Sequence, residues 1–379
     1  MHKPRLLVCT DWYDPAFKAG GPIRSCVNLV AHLHNIYDIY VFTGDRDLDE
    51  PQPLPGIIKD QWIEHATGAK VWYASSEKQG LADIRGMLEF VRPQYLYLNS
   101  AFSKIFTIDI FRVARKIGLS GKLILSPRGM LKPSALAIKP LKKKVFLLIA
   151  RLLGVSRSLH FHATNQIEAE EITSIFGKSD VTIAPNFPAP INSTPKPLEK
   201  NTGFVRLLLV GRIHPIKNID FLIRQLPAIQ GEVLLNIIGV AESSDYEEQC
   251  LQLISVLPPD KKVNMMGEMP HSLLEQHISS HHLFVLPTKG ENYGHAIAES
   301  LGNGRPVLIS DQTPWRNLAE RKAGWDCSIS HPDCFRKALQ DAVDWNQADF
   351  DMYCQGALDY IKDQQDTTKL INKYKQLFN

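Results

Sequence analysis

Residues 283–310 read LFVLPTKGENYGHAIAESLGNGRPVLIS. Leu283–Leu286 is a short apolar run of strand type, Ala296–Gly302 has helical composition, and Pro306–Ser310 returns to an apolar strand. Pro287, Gly290 and Gly294 punctuate the stretch between the first run and the helix, as glycine and proline do at turns. Strand, loop, helix and strand in that order make a βαβ unit, the building block of a parallel sheet buried on both faces.

The same rhythm extends in both directions. Upstream, Val205–Val210, Leu234–Ile238 and Val263–Met266 read as strands, with helices over Ile219–Leu226 and around Tyr246–Leu257. Residues 186–203, NFPAPINSTPKPLEKNTG, hold four prolines and little apolar content, and 189–203 is expected to be a linker. Before it runs a second series. Its strands are Arg5–Thr10, Asp38–Thr43, Tyr95–Asn99, Lys122–Ser126, Leu159–Ala163 and Val181–Ala184, with helices over Pro22–Leu33 and around Ile108–Ile117. The chain therefore reads as two α/β domains, 1–188 and 204–354, facing each other across a cleft, where ligands meet the carboxyl ends of the strands. The tail from Phe335 to Phe378 is helical in composition, and Tyr360, Leu370, Ile371, Tyr374 and Phe378 suit an apolar surface.

Composition narrows the function class. The 379 residues are 44% hydrophobic and 22% charged, with a net charge of +3, which fits a globular protein and lacks the dense basic stripe of a nucleic-acid binder. The six cysteines form no CxxC pair, so buried free thiols in a reducing compartment are expected. The N-terminus MHKPRLLVCTDWYDP lacks a signal-peptide core, and the run VFLLIA before Arg151 is too short to span a bilayer. A cytoplasmic protein is expected, with room for a peripheral contact at the inner face of the cell membrane.

Chemistry concentrates in a few loops. Glu291 lies in the loop after Leu286 and Glu299 one turn inside the next helix. An ionised carboxylate only accepts hydrogen bonds, so this pair suits sugar hydroxyls and a ribose diol, while amides near Gly294 suit phosphate. A helix-start acid and a solvated helix acid are the plain alternative. Arg212 and Lys217 share the loop after Val210 and could clamp a diphosphate; two exposed basic residues are the alternative there. Gly20 and Gly21 sit between the first strand and first helix, without a GxGxxG or Walker pattern. Arg128 follows the strand KLILS, where it could meet an anionic ligand or an interdomain partner. Residues 138–153 mix Lys139, Lys142, Lys143, Lys144 and Arg151 with Phe146, Leu147, Leu148, Leu152 and Leu153. Lys142, Lys143 and Lys144 thus mark either an acceptor or membrane side or the solvated face of a core helix. No HExxH or GxSxG motif occurs, and His160 and His162 have no third ligand nearby in sequence; no bound metal is expected.

The spacing Glu291-x7-Glu299, with GRIHPIKN at 211–218, resembles the family 4 group of retaining glycosyltransferases, which have the GT-B fold. The resemblance is densest from about 205 to 325 and includes GRPVLISDQTPWRNL with Gly304, Pro306 and Thr313. It implies that Glu291 contacts donor-sugar hydroxyls, Glu299 the ribose, and Arg212 and Lys217 the diphosphate. Asn292, Tyr293 and Gly294 would line the sugar, with His295 also in the donor site, Glu268 and Met269 would lie beside the base, and Gly20 and Gly21 would approach the donor phosphate and acceptor. Arg128 stands where many members carry a catalytic histidine, and this PRGM form resembles bacterial surface-polysaccharide members. The last helix, from about 355 to 379, would return to the first domain. The donor implied is a UDP- or GDP-sugar without metal cofactor, and the acceptor a saccharide or polyprenyl-linked glycan in polysaccharide or lipopolysaccharide synthesis. A nucleotide-sugar epimerase of the same fold and a non-catalytic, membrane-associated assembly subunit are the rival readings.

Overall fold

The computed structural model describes residues 3–119, 122–136, 140–152, 154–177, 179–189, 197–364 and 366–378. Residues 190–196 of the expected linker, and Ile138, Lys139 and Leu153 of the basic segment, lie outside the described residues. The chain divides into two compact units, Met1–Phe187 with Thr367–Asn379, and Pro188–Asp366.

The first unit is built on eight strands: β1 (Arg5–Thr10), β2 (Asp38–Gly44), β3 (Trp62–Glu64), β4 (Lys70–Ala74), β5 (Tyr95–Asn99), β6 (Lys122–Ser126), β7 (His160–Ala163) and β8 (Asp180–Ile183). Their order is β3-β4-β2-β1-β5-β6-β7-β8, parallel except for the β3–β4 pair. Alternation along β1 explains the two cores. Leu7 and Cys9 enter one apolar cluster and Leu6 and Val8 the other, as a strand of period two buried on both faces requires. The helix Thr367–Phe378 completes the second of these cores with Tyr374, Leu377 and Phe378. Tyr374 stacks on Phe187 with centroids 4.4 Å apart, and Phe378 meets Tyr37 at 5.3 Å and Tyr95 at 5.6 Å. The chain thus returns to the first unit, but only from Thr367 and not from about 355: the helix Gln347–Gln364 packs Phe350, Ala357, Tyr360 and Ile361 into the core of the second unit.

The second unit holds β9 (Phe204–Val210), β10 (Glu232–Ile238), β11 (Lys261–Met265), β12 (Leu283–Leu286), β13 (Val307–Ser310) and β14 (Gly324–Cys327). The order is β11-β10-β9-β12-β13-β14, all parallel. β3, β4 and β14 escape the sequence reading because each is five residues or fewer and mixes charge or glycine into its apolar run. One expectation is corrected. Cys327, at the end of β14, and Cys334, near the start of the helix Pro332–Asp344, form a disulfide. The strand-to-helix turn brings their Cα atoms to 5.8 Å, within bridging range, a closeness that no CxxC spacing announces. Cys9, Cys26 and Cys250 are buried thiols and Cys354 is half-buried. Among the described residues no helix is long and apolar enough to cross a membrane.

Three buried histidines tie this architecture to pH. His162 lies between the Tyr97 hydroxyl (2.7 Å) and the Ala184 carbonyl (2.8 Å). His282 accepts from Arg206 N (2.9 Å) and reaches the Glu199 carbonyl (2.9 Å). Burial, as the first cause, pushes His162 down to about 3 and His281 and His282 down to about 4. Their folded pKa values lie below the unfolded value near 6.5, so the unfolded chain binds the extra protons. Stability is therefore fully present above pH 6.5 and is lost as pH falls toward 4. Each such proton contributes about 1.4 kcal/mol per pH unit to the slope. Urea unfolding between pH 7 and pH 4.5 should show this decline, and His162→Gln should reduce the slope by about one proton. A flat profile would contradict the assignment.

Candidate functional site

In the second unit, strand order reverses between β9 and β12: the chain moves from β9 to β10 and β11 on one side, then to β12, β13 and β14 on the other. Such a switch point opens a crevice at the carboxyl ends of the strands. The loops that leave β9 and β12 meet there. Lys217 ends a short 3₁₀ turn, Pro215–Lys217, whose start is capped by the His214 imidazole accepting from Ile216 N (3.1 Å). Its Nζ donates to Glu291 Oε2 at 2.5 Å, with side chains 14% and 20% exposed. Backbone bonds tie the same loops together. Lys289 N and the Thr288 hydroxyl both donate to the Ile216 carbonyl, at 2.7 and 3.0 Å. The Ser310 hydroxyl donates to the Thr288 carbonyl at 2.5 Å, and Glu291 N to the Gln312 carbonyl at 2.9 Å. The Lys217–Glu291 pair is thus held by the loops after β9, β12 and β13 together.

Gly294 is the N-cap of the helix His295–Gly302, with φ +79°. A Cβ there would fall 2.7 Å from Ile297 Cδ1 and 3.2 Å from Glu291 Cγ, so only glycine fits both the left-handed backbone and the space. Glu299 lies on this helix with its side chain 9% exposed, 3.0 Å from His271 Nε2. Tyr293 packs its ring on Trp315 (5.4 Å) and His295 (4.8 Å), and its carbonyl accepts from Trp315 Nε1 at 2.6 Å. Burial, then the charge of Glu299, raises its phenol well above the usual range, so it stays neutral. Asn292 and His295 are half-buried in the same segment. Glu268 is exposed and Met269 half-buried after β11. Arg212, in the same loop as Lys217, is exposed and pairs with Glu242 at 2.7 Å. The loop therefore splits its two cations between two carboxylates; Glu242 and His271 join these contacts without any mark in the sequence, while Trp315 belongs to the stretch GRPVLISDQTPWRNL.

The first unit has its own switch point, between β1 and β5. Asp11 follows β1, and its Oδ1 accepts from the Ser103 hydroxyl at 2.7 Å. Burial raises its carboxyl, with the Ser103 bond opposing. Ser103 also caps a π-helical turn, Lys104–Asp109, by accepting from Phe106 N at 3.1 Å. Gly20, with φ +65°, opens the helix Gly21–Leu33, and nothing lies within 4 Å of where its Cβ would point. The loop before it is anchored by Asp47, whose carboxylate accepts from Phe17 N and Lys18 N at 2.8 and 3.2 Å. Arg128, with φ +55°, follows β6. Its guanidinium donates to Asn99 Oδ1 (2.7 Å), to the Tyr97 hydroxyl (2.8 Å) and to Asn186 Oδ1. These partners are neutral, so the cation is oriented without a carboxylate on it. The buried Glu168 instead holds the backbone, accepting from Gly129 N at 2.6 Å and Thr164 N at 2.7 Å. Asp11 reads in the sequence only as the end of the first apolar run, and Ser103 carries no signal there.

The three lysines lie on the helix Pro140–Leu152. Lys142 and Lys144 are exposed. Lys143 turns inward, donating to the Ala135 carbonyl at 2.7 Å and lying 5.2 Å over the Phe102 ring. Among the described residues no group of three His, Cys, Asp or Glu side chains could hold a metal ion.

Residues 205–344 match the family model described as glycosyl transferases group 1. No curated protein matches the chain. Among solved structures, a sucrose-phosphate synthase from Thermosynechococcus elongatus is similar, with TM-score 0.69 and 16% identity over 100% of this chain and 98% of that one. The Anabaena protein HepE, solved in complex with UDP and glucose, is similar at TM-score 0.67 and 13% identity over 98% of each chain. A lipopolysaccharide outer core galactosyltransferase, WaaB, is similar at 0.60 and 17% over 99% of this chain and 98% of that one. The chain has the GT-B fold of two Rossmann-like units in succession.

The Gly294 geometry yields a direct test. Gly294→Ala should cost about 1–3 kcal/mol of unfolding free energy, the usual range for a forced left-handed residue, and it should displace Glu291. An unfolding curve that overlays the wild type would refute the steric argument.

Proposed function

We propose that the chain is a retaining glycosyltransferase that moves a sugar from a nucleotide diphosphate donor, UDP- or GDP-linked, to a saccharide or polyprenyl-linked saccharide acceptor. The observation that carries this reading is the meeting of Lys217 and Glu291 at the switch point of the second sheet. It lies inside the segment that matches glycosyl transferases group 1, with Glu299 on the next helix.

In this reading the second unit holds the donor. The diphosphate takes the place of Glu291 on Lys217, and Arg212 leaves Glu242 to join it. The amides at the start of the helix His295–Gly302 add their partial positive charge. Glu291, released, accepts from sugar hydroxyls, and Glu299 accepts from the ribose diol. Asn292, Tyr293, Gly294 and His295 line the sugar, and Glu268 and Met269 flank the base. As the bond between the anomeric carbon and the phosphate oxygen breaks, its electron pair leaves on that oxygen and negative charge grows on the phosphate. Lys217 and Arg212 stabilise it without needing a metal. The acceptor oxygen bonds the anomeric carbon on the same face, and its proton passes to the leaving phosphate oxygen. Gly20, Gly21 and Arg128 serve the acceptor side, Arg128 as a cation held ready by neutral partners. A role in polysaccharide or lipopolysaccharide synthesis in the cytoplasm accords with this chemistry.

Calorimetric titration with UDP, GDP, ADP and their sugar conjugates tests the proposal. One nucleotide should bind, with the same affinity in EDTA, and Glu299→Ala should weaken it about tenfold, the equivalent of about 1.4 kcal/mol. NMR of the product should show the anomeric configuration of the donor. A folded protein that binds none of these nucleotides would sink the donor assignment, and an inverted product would sink retention.

A further inference from the structure

We infer that the helix Pro140–Leu152 is a membrane-docking element that lies in the interface of a bilayer rich in anionic lipid. It turns a row of aliphatic side chains away from the protein. Leu141, Val145, Leu148 and Leu152 recur at i, i+4, i+7 and i+11, and are 79%, 55%, 58% and 76% exposed. That spacing puts them on one face, and Ile149, also exposed, widens it. The opposite face is already satisfied: Leu147 and Ala150 are buried, and Phe146 meets Phe102 at 5.8 Å. The helix therefore has two apolar faces, and its own unit covers one of them. Leu141, Lys142, Val145, Phe146 and Ile149 line an open groove along it. An exposed row of this kind marks an interaction surface rather than a solvated helix.

Charge identifies the occupant. Lys142, Lys144 and Arg151 flank the row, are exposed, and make no ion pair among the described residues. The bias extends well beyond the helix. Residues 110–167 contain twelve of the chain's 43 Lys and Arg and none of its 40 Asp and Glu, so this segment is +12 and the remainder −9. A second copy would present the same positive face and be repelled. A surface of anionic headgroups over hydrocarbon accepts both the flanking cations and the aliphatic row. At 13 residues the helix is about 20 Å long, enough to lie in the interface and too short to span the core. This inference stands whether or not the second unit holds a nucleotide donor.

Vesicle co-sedimentation tests it on the full chain. The protein should pellet with vesicles of mixed phosphatidylglycerol and phosphatidylcholine, and at least tenfold less with phosphatidylcholine alone. Leu148→Glu with Leu152→Glu should abolish binding, while leaving the circular-dichroism melt unchanged because both side chains are exposed. Lys142→Gln with Lys144→Gln should weaken binding about fivefold for each charge removed, and raised salt should mimic that loss. Lys143 is left intact because it binds the protein itself. Two outcomes would overturn the inference. One is a wild type that stays in the supernatant with anionic vesicles. The other is a lipid-free dimer, seen by light scattering, that the Leu148→Glu, Leu152→Glu variant makes monomeric.

Discussion

The second unit depends on one ion pair placed where its sheet changes direction. Lys217 and Glu291 come from loops 74 residues apart, and only the adjacency of β9 and β12 brings them together. Each side chain is largely withdrawn from water, so each needs a charged partner; a hydrogen bond of this kind contributes roughly 1.5–3 kcal/mol. Gly294, Thr288 and Ser310 act on this pair by shaping the loops that carry it. In the proposed reading the pair is also what a ligand exchanges. It offers Lys217 an anion in place of the carboxylate and offers Glu291 hydroxyl donors in return. A sugar linked to a diphosphate carries both.

The first unit repeats this arrangement with different chemistry. Asp11 and Ser103 meet across its own switch point, and the next strand delivers Arg128 onto Asn99. The carboxyl of Asp11 is raised by burial, whereas Arg128 is held by amides and a phenol. In both sheets a hydrogen-bonded side-chain pair therefore spans the loops where the order of strands reverses, the place that open α/β sheets favour for ligands. The returning helix Thr367–Phe378 adds Tyr374, Leu377 and Phe378 to one core of the first unit, and its Tyr374 donates to the Pro185 carbonyl at 3.2 Å.

Much of this was readable before folding. Long apolar runs such as Phe204–Val210 announce buried parallel strands, and the glycines around Glu291 announce the loop that carries it. The legible elements are those whose signal is local. Arg212 and Lys217 share a loop, yet Glu242, 30 residues away, takes the Arg212 guanidinium. Lys143 stands in a run of three lysines, but helical phase turns it onto Phe102. The Cys327–Cys334 bridge depends on how β14 turns into the next helix, and short strands such as Gly324–Cys327 carry too few apolar residues to stand out. Asp11 reads as the end of a strand until Ser103 arrives from 92 residues away. Contacts across such separations have no periodicity to betray them.

If the loops after β9, β12 and β13 form one nucleotide-sugar site, hydrogen–deuterium exchange with and without the preferred nucleoside diphosphate will show it. Protection should appear together in 211–218, 288–299 and 311–313, because one ligand replaces the contacts that join these loops. Binding that protects other segments and leaves these three unchanged would contradict it.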